Sequence, residues 1–488
     1  GLYQVMSQTK LSKIPVPPLP KSLMAKFLGH LHPIMKIAKE KEVASGMGLT
    51  LKIADYYKET QSHTFKIRMA NENYIVTRDK DFYSEILGAK QADFTNSIAF
   101  QVVFGHFFPN AVVIVRDEQW TRIRKMLTKA INNTNLDSII PSIVKNVSYT
   151  LNENSRGSCL ANELHTFDLI TRIVLDTFHW LVYKWDPETL KFNPNSSDLI
   201  ANCDIISEAS GERLMMPYPF LWKLPTKYNK RVENARTMIR NFIKNFLFEQ
   251  KEKFQNQKEE ILQLEKKTML QEMLIANESE DTSKRLTDDE MIDQVGILFF
   301  GSYDNTSNVI SFCLNYLARN MSVQDHLRSL LLEAIPNGEE GLLESGGAEA
   351  LGKISYLSHF LYEVDRLCHV TFIPRDCIKD TEINGYPIKK GESIMIDNFG
   401  IGQREDFWNN MKDLDVLRPE RWAEYKPGTL EAGIPFGFGG RVCPAKRLAT
   451  YEVKAFLSVA LLNHRIVLRN PDEKFALTMR MNKSLIGG

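Results

Sequence analysis

Residues 435–445 read PFGFGGRVCPA, and this is the most informative stretch of the 488-residue chain. Three glycines precede Cys443, with an arginine two residues before the sulfur and Phe436 seven residues before it. Glycine lets the backbone approach a flat partner closely, so that amide N–H groups can point at a thiolate. The stretch therefore predicts a loop that presents the sulfur of Cys443 to a flat, metal-containing cofactor.

The spacing Phe-x-x-Gly-x-Arg-x-Cys, formed by Phe436, Gly439, Arg441 and Cys443, resembles the cysteine-ligand loop of cytochromes P450. The resemblance implies a haem b whose iron is bound by the Cys443 thiolate, with the other three residues binding the same cofactor. One departure is Ala445, because the family usually has glycine two residues after the cysteine. Alanine is the next smallest residue, so the helix expected to begin there can still approach the ring.

A second motif lies upstream in the order that the family has. Glu363 and Arg366 form Glu-x-x-Arg inside an apolar, helix-like stretch, and this spacing puts both side chains on one face. The later Pro-Glu-Arg-Trp run supplies Arg421. The resemblance implies that these three residues form a structural triad, whereas an exposed helix pair of this kind would contribute only about a few tenths of a kcal/mol.

Three further residues are predicted to bind the cofactor. Trp120 and Arg124 stand four residues apart, so an indole N–H and a guanidinium would share one helix face. Such a pair suits a carboxylate. Arg375 is placed like a second haem-propionate ligand of the family. Taken alone, Trp120 would fit a core or surface position equally well.

The central helix is expected to begin at Thr287, which opens a capping box, and to run to about Asn320. From Gln294 to Ala318 its only charged residue is Asp304. A buried carboxylate is costly unless it is paired, protonated or at a water-lined site. The polar residues 301–308 make a membrane span a poor interpretation. We therefore expect a buried helix with a functional groove.

Residues 301–308 resemble the oxygen-activation segment of the family. Asp304 matches the acid, Asn305 stands where threonine is usual, and Thr306 follows. The resemblance implies that these three residues handle the two protons that monooxygenation consumes. Asn305, which we expect to be buried, cannot relay a proton as a hydroxyl does. A purely structural role for Asp304, hydrogen-bonded to a neighbouring turn, remains an alternative.

The resemblance covers the chain from about residue 20 to its end. It implies one large P450-type fold, mostly helical with small β-sheets, whose β-rich region lies near the N-terminal half. Residues 1–20 are interpreted as a proline-rich hinge after a membrane anchor that is expected to have been removed, and 21–488 as the catalytic domain. Residues 21–39 predict an amphipathic helix, broken near Pro33, that leans on a membrane surface or packs on the protein. The endoplasmic reticulum membrane, at its cytosolic face, is the implied location.

Composition restricts the other classes of function. The net charge is +1, and no basic-aromatic array suggests nucleic acid binding. Six cysteines form no C-x-x-C pair, which argues against a zinc site or a disulfide framework and favours a reducing compartment. Phenylalanines crowd residues 94–115 and indicate either an apolar ligand or ordinary core packing; they are Phe94, Phe100, Phe104, Phe107 and Phe108.

The resemblance implies a haem-thiolate monooxygenase that inserts an oxygen atom from O2 into a lipophilic substrate such as a sterol or a fatty acid. Its electrons would come from NADPH through an acidic redox partner such as a P450 reductase. A basic cluster is predicted to dock that partner; its members are Arg122, Lys125, Lys129, Lys446 and Arg447.

Two alternatives stay open. One is a P450-type isomerase or dehydratase acting on a fatty-acid hydroperoxide, which needs no external electrons and no threonine at position 305. The other is a haem-binding sensor or electron carrier without turnover. Asp304 in an otherwise apolar helix argues against a carrier, which has no use for a proton path.

Overall fold

A computed structural model describes most of the chain. The described residues are 14–19, 21–22, 26, 28–40, 45–69, 72–132, 139–155, 166–192, 194–215, 219–281, 285–344, 347–368, 372–425, 431, 433–468, 476–479 and 483–486. Helices dominate, and the strands are few and short, as the sequence predicts.

The helices and strands are numbered separately in chain order. The helices are α1 (Leu31–Glu40), α2 (Ser45–Thr60), α3 (Lys80–Leu87), α4 (Ile98–Phe107), α5 (Asp117–Asn132), α6 (Ile139–Ser155), α7 (Thr166–Tyr183), α8 (Pro194–Met215), α9 (Pro219–Trp222), α10 (Lys227–Asn256), α11 (Lys258–Gln263), α12 (Met269–Asn277), α13 (Asp288–Arg319), α14 (Met321–Ala334), α15 (Gly338–Leu343), α16 (Gly347–Lys353), α17 (Ser355–Cys368), α18 (Asn398–Gly402), α19 (Arg421–Glu424) and α20 (Lys446–Asn463). The strands are β1 (Thr64–Met69), β2 (Glu72–Thr77), β3 (Phe94–Asn96), β4 (Phe372–Cys377), β5 (Thr381–Ile383), β6 (Tyr386–Ile388), β7 (Ser393–Asp397), β8 (Ala476–Met479) and β9 (Lys483–Ile486).

The chain divides into two compact units. The first contains the described residues up to 102, those from 362 to 443, and β8. Its main sheet has the strand order β1-β2-β7-β4-β3, with β2 and β7 parallel and the other neighbours antiparallel. The central strand β7 is buried on both faces. Ile394 and Ile396 share one face and pack in one core with Phe82 and Trp408, and Met395 on the opposite face is also buried.

This sheet corrects the expectation that the β-rich region belongs near the N-terminal half. Strands β1, β2 and β3 come from residues 64–96, but β4 and β7 come from residues 372–397. Local alternation of apolar residues can predict a strand, but it cannot predict which distant strand pairs with it. The strands of the two chain segments pair here because together they bury a common core.

The second unit contains the described residues from 103 to 361 and from 444 to 468, with the end of β9. Its centre is α13, which packs against α7, α10 and α20. The predicted start at Thr287 is confirmed, because the Thr287 side chain accepts from the Glu290 N–H and the Glu290 side chain accepts from the Thr287 N–H. The helix ends at Arg319, one residue before the predicted limit.

Two local predictions were wrong. The five glycines of the segment 336–352 predict an exposed loop, but the segment contains α15 and α16, and Leu342 is buried. The predicted break near Pro33 does not occur, since Pro33 lies in the first turn of α1, where its missing N–H costs nothing. The chain turns instead at Gly29, whose φ is +59° and where a Cβ would lie 2.2 Å from the Arg68 carbonyl oxygen.

Helix α1 packs on the protein through Leu31 and Ile34, while Met35 is exposed. Residues 1–13 and 20 of the predicted hinge lie outside the described residues, whereas Ile14 is buried in the core of the first unit. Among the residues that the structure describes, no helix has the length and apolar character needed to cross a bilayer.

Candidate functional site

The cysteine loop belongs to the first unit and is closed by its own backbone. The Cys443 N–H donates to the Phe436 carbonyl over 2.8 Å, and the Val442 N–H donates to the Gly439 carbonyl over 3.1 Å. Gly437 and Gly439 have φ values of +74° and +71°, which favour glycine. The loop therefore holds Cys443 in a fixed turn, and α20 begins directly after it at Lys446 with Ala445 as its N-cap.

The loop is also pressed against the end of α3. A Cβ at Gly439 would lie 2.1 Å from the Leu87 carbonyl oxygen, so this close approach requires glycine. The Gly440 N–H donates to the side-chain oxygen of Gln91 over 3.0 Å. Neither contact is signalled by the sequence motif, because both partners are about 350 residues away along the chain.

Cys443 differs in its surroundings from the buried cysteines. No disulfide joins any of the five cysteines in the described part of the chain, and Cys443 is half-buried. Burial raises the pKa of the Cys203 and Cys377 thiols, and Cys377 donates its S–H to the Lys379 carbonyl. Burial thus keeps those two sulfurs as thiols.

Arg375 and Arg441, both predicted to bind the cofactor, are a pair of cations whose charges act on each other. Arg375 lies on β4, paired with Asn96 of β3 and Ile394 of β7, and one of its terminal nitrogens donates to the Pro374 carbonyl over 2.8 Å. Burial and the positive charge of Arg441 lower the pKa of Arg375 to about 10. Two positive charges that act on each other suit a negatively charged ligand such as a carboxylate.

This donor set fits a haem. The cofactor carries carboxylate groups for the arginine pair, and Cys443 offers a sulfur from a loop whose glycines permit close approach. Both features lie in the same unit and in chain segments fixed by the sheet and by α3.

The Glu363 carboxylate lies at the centre of a fully buried network. It accepts two hydrogen bonds from Arg366, at 2.8 and 2.9 Å, and one from the Arg421 Nε at 2.8 Å. The Trp422 indole donates to it over 2.9 Å and the Arg418 N–H over 3.1 Å. The structure therefore joins the three residues of the predicted triad. Trp422 is a fourth member, which the tryptophan of Pro-Glu-Arg-Trp could have suggested.

The two arginines extend this network into the segment 402–416. Arg366 also donates to the carbonyls of Gly402 and Leu414. Arg421 donates to the Asp413 carbonyl and lies 3.4 Å from the Asp413 carboxylate. The network thus ties α17 to the chain that leads toward the cysteine loop.

Helix α13 of the second unit carries Asp304, Asn305 and Thr306. Asp304 is only 1% exposed and Thr306 is buried. Asn305, in contrast, is exposed, so the expectation that it would be buried was wrong. Its side-chain N–H donates to the Gly301 carbonyl over 3.0 Å. Because α13 turns about 100° per residue, Asn305 lies above Gly301 on one face and Asp304 points elsewhere.

Gly301 and Asn305 define an open strip on α13. Gly301 is exposed, and a Cβ added there would meet no heavy atom of the described residues within 4 Å. Beside it, the Ser302 hydroxyl donates to the Phe299 carbonyl, and the Asn308 amide donates to the Asp304 carbonyl. The strip is exposed within the mostly buried middle of α13.

Trp120 and Arg124 are half-buried on α5, also in the second unit. The structure thus places these two residues and the Asp304–Thr306 segment in one unit, and the triad, the arginine pair and Cys443 in the other.

The members of the predicted basic cluster differ in their contacts. Arg122 is bonded to the Glu290 carboxylate at the start of α13. Burial raises the pKa of Glu290, but hydrogen bonds from Arg122, Thr287 and Gln119 bring it below its usual value. Arg122 is therefore engaged within the fold, and Lys129 lies 3.6 Å from Glu272. The other three members, Lys125, Lys446 and Arg447, are exposed.

Comparison with known proteins gives one consistent result. The family model Cytochrome P450 matches residues 29–484. Cytochrome P450 3A18 of Rattus norvegicus is 26% identical over 391 residues, covering 78% of this chain and 74% of that protein. Cytochrome P450 3A5 of Homo sapiens is 26% identical over 365 residues, covering 73% of this chain and 70% of that protein. The chain therefore belongs to the cytochrome P450 family and is a monooxygenase that uses haem b with a cysteine thiolate ligand, O2 and NADPH-derived electrons delivered by a reductase.

Proposed function

We propose that the chain oxidises a lipophilic small molecule, a sterol, a fatty acid or a similar compound, with Cys443 as the thiolate ligand of its haem. The observation that carries this proposal is the closed glycine loop, which holds Cys443 in the same unit as the Arg375–Arg441 pair. When bound, the haem supplies the activation of O2. The chain's own residues bind the cofactor, exclude water and supply protons.

The other site residues have distinct roles in this proposal. Arg375 and Arg441 bind a propionate, and Trp120 and Arg124 also donate to propionate oxygens. The triad around Glu363 keeps the segment before the cysteine loop in place. The Asp304 carboxylate, with Thr306 or Asn305, holds the protons that the reaction consumes.

The experiment that tests this proposal is the carbon monoxide spectrum of the ferrous protein. We expect the red-shifted Soret band of a thiolate ligand in the wild type, because Cys443 is the sulfur held by the haem loop. The Cys443→His variant is expected to show the band of a histidine-ligated haem. A wild-type spectrum of the histidine type, or an unchanged spectrum in Cys443→His, would remove Cys443 from the site.

The electron donor is proposed to dock on Lys125, Lys446 and Arg447, which are exposed in the second unit. Reversing these three charges to glutamate is expected to slow reduction of the iron by an acidic reductase, with the larger effect at low salt, because unscreened charges steer association. Stopped-flow reduction at two ionic strengths measures this. Reversal of Lys223, Lys227 and Lys230, which are exposed on α10 and in the turn before it, is the matched control. If reduction of the iron were slowed equally in both triple variants, or were slowed in neither of them, this docking face would be contradicted.

The chain is also proposed to sit at the cytosolic face of the endoplasmic reticulum membrane. Val16, Leu19 and Met35 are exposed apolar residues in the first unit. The His30 ring is hydrogen-bonded to the Pro17 carbonyl, which holds the first two close to the start of α1. An exposed apolar patch of this kind suits the boundary of a lipid bilayer. Co-flotation of the protein with phospholipid vesicles tests this placement.

A further inference from the structure

Arg213 is a buried cation near the C-terminal end of α8. It is only 3% exposed, and none of its three guanidinium nitrogens donates a hydrogen bond to any described residue. A buried polar group without an acceptor is costly, and a charged one more so. The guanidinium also stays protonated: burial lowers its pKa, but an arginine starts from a value far above neutrality. A guanidinium buried at this position therefore requires a hydrogen-bond acceptor.

Two aromatic rings flank this guanidinium without satisfying its N–H groups. The guanidinium carbon lies 4.6 Å from the centre of the Trp222 ring and 5.6 Å from that of Phe107. Such contacts stabilise the positive charge through the ring faces. They leave the N–H donors in the guanidinium plane available to a ligand.

The acidic residues around Arg213 already have other hydrogen-bond partners. Glu233 and Glu212 act on its charge, as the causes of its pKa shift indicate. The Glu233 carboxylate, however, is bonded to the His106 ring and to Arg236. Glu212 is exposed and accepts from the Tyr228 hydroxyl. Neither carboxylate is hydrogen-bonded to Arg213, so the fold supplies charge nearby but no fork-shaped acceptor.

Arg213 is connected to the open strip of α13 by a series of packed aromatic residues within the second unit. Phe107, which contacts Arg213, is followed by Phe108, whose ring lies 5.4 Å from that of Phe300. Phe108 also fills the space where a Cβ on Gly296 would lie. Phe300 directly precedes Gly301, and α8 itself packs on α13. The residues between the cation and Gly301 are therefore buried and aromatic.

We propose that Arg213 binds the carboxylate of a lipophilic acid, so that the substrate is an acid such as a long-chain fatty acid, held by its head group. This rests on the proposed function, because it names the substrate class of the same site. A carboxylate offers the planar fork that matches a guanidinium and relieves its unsatisfied donors, while the aromatic residues contact the hydrocarbon chain. Sterols and other neutral substrates have no group of this kind.

Equilibrium dialysis of the haem-containing protein against a long-chain fatty acid and its methyl ester tests the proposal. We expect the wild type to bind the acid more tightly than the ester. Arg213→Gln is expected to weaken binding of the acid roughly 10- to 100-fold, the scale of a hydrogen bond to a charged group, and to leave the ester unchanged. The matched control is Arg231→Gln, an exposed arginine of α10 whose loss should affect neither ligand.

A structural role for Arg213 predicts a different outcome. Because its guanidinium lacks acceptors, Arg213→Met is expected to unfold at the same temperature as the wild type or at a higher one. A clear loss of thermal stability in Arg213→Met would overturn the proposal. So would equal binding of acid and ester by the wild type, which would indicate a guanidinium satisfied by water alone.

Failure of this inference is distinguishable from failure of the proposed function. The carbon monoxide spectrum is recorded on the same samples. A thiolate spectrum without discrimination between acid and ester overturns only the role of Arg213. A spectrum without a thiolate band overturns the assignment of Cys443, while dialysis still reports whether the acid binds through Arg213.

Discussion

Glu363→Ala is expected to prevent the accumulation of folded, haem-containing protein. The substitution leaves the buried Arg366 and Arg421 without the carboxylate that accepts three of their hydrogen bonds. Breaking a buried ion pair by removing one partner costs about 3–5 kcal/mol, which is a large part of the roughly 5–15 kcal/mol that stabilise a typical protein. The yield of soluble protein and its haem content measure the effect.

The backbone carbonyls around the two arginines cannot replace Glu363. Among the described residues, Arg366 keeps only the carbonyls of Gly402 and Leu414. Arg421 keeps the carbonyls of Asp413 and Val416 and, at 3.4 Å, the half-exposed Asp413 carboxylate, so neither arginine keeps a buried negative charge. Glu382→Ala is the matched control, since Glu382 is an exposed residue of β5 in the same unit. The network would be dispensable if the Glu363→Ala protein accumulated with a full complement of haem and unfolded at the same temperature as the Glu382→Ala variant.

Patterns within one helix were predictable from the sequence, because they depend on neighbouring residues. The capping box at Thr287 fixes the start of α13 through bonds that span three residues. Glu363 and Arg366 likewise lie on one turn, and their motif also pointed to Arg421, 55 residues later. Trp422 joins the same carboxylate, but only the folded chain shows that its indole N–H reaches Glu363.

Features that depend on distant strands were not predictable. The placement of β4 between β3 and β7, which buries Arg375, is one that no local pattern encodes. The exposure of Asn305 depends on which face of α13 its neighbours cover. Burial of Arg213 follows from the packing of α4 and α9 around the end of α8, and its sequence neighbours give no sign of it.

Asp304→Asn is expected to reduce oxygen-driven turnover by about 10²-fold, the usual scale for loss of a group that transfers protons. Asp304 is the acid of α13 and is 1% exposed, and asparagine keeps its shape while removing its acidity. Product formation with a reductase and NADPH measures the effect. Asp289→Asn is the control, because Asp289 is an exposed carboxylate near the start of the same helix.

Asn305→Thr completes this experiment, because it restores the hydroxyl that the family usually has at this position. Asn305 is exposed, and its amide is bonded to the Gly301 carbonyl, so a threonine fits without displacing a buried neighbour. We expect the variant to retain or improve the coupling of electrons to product, since a hydroxyl can pass on a proton that an amide cannot. The opposite outcome would be rapid consumption of a fatty-acid hydroperoxide without reductase, at a rate that Asp304→Asn does not change. It would mean that the chain rearranges a peroxide and has no need of a proton path.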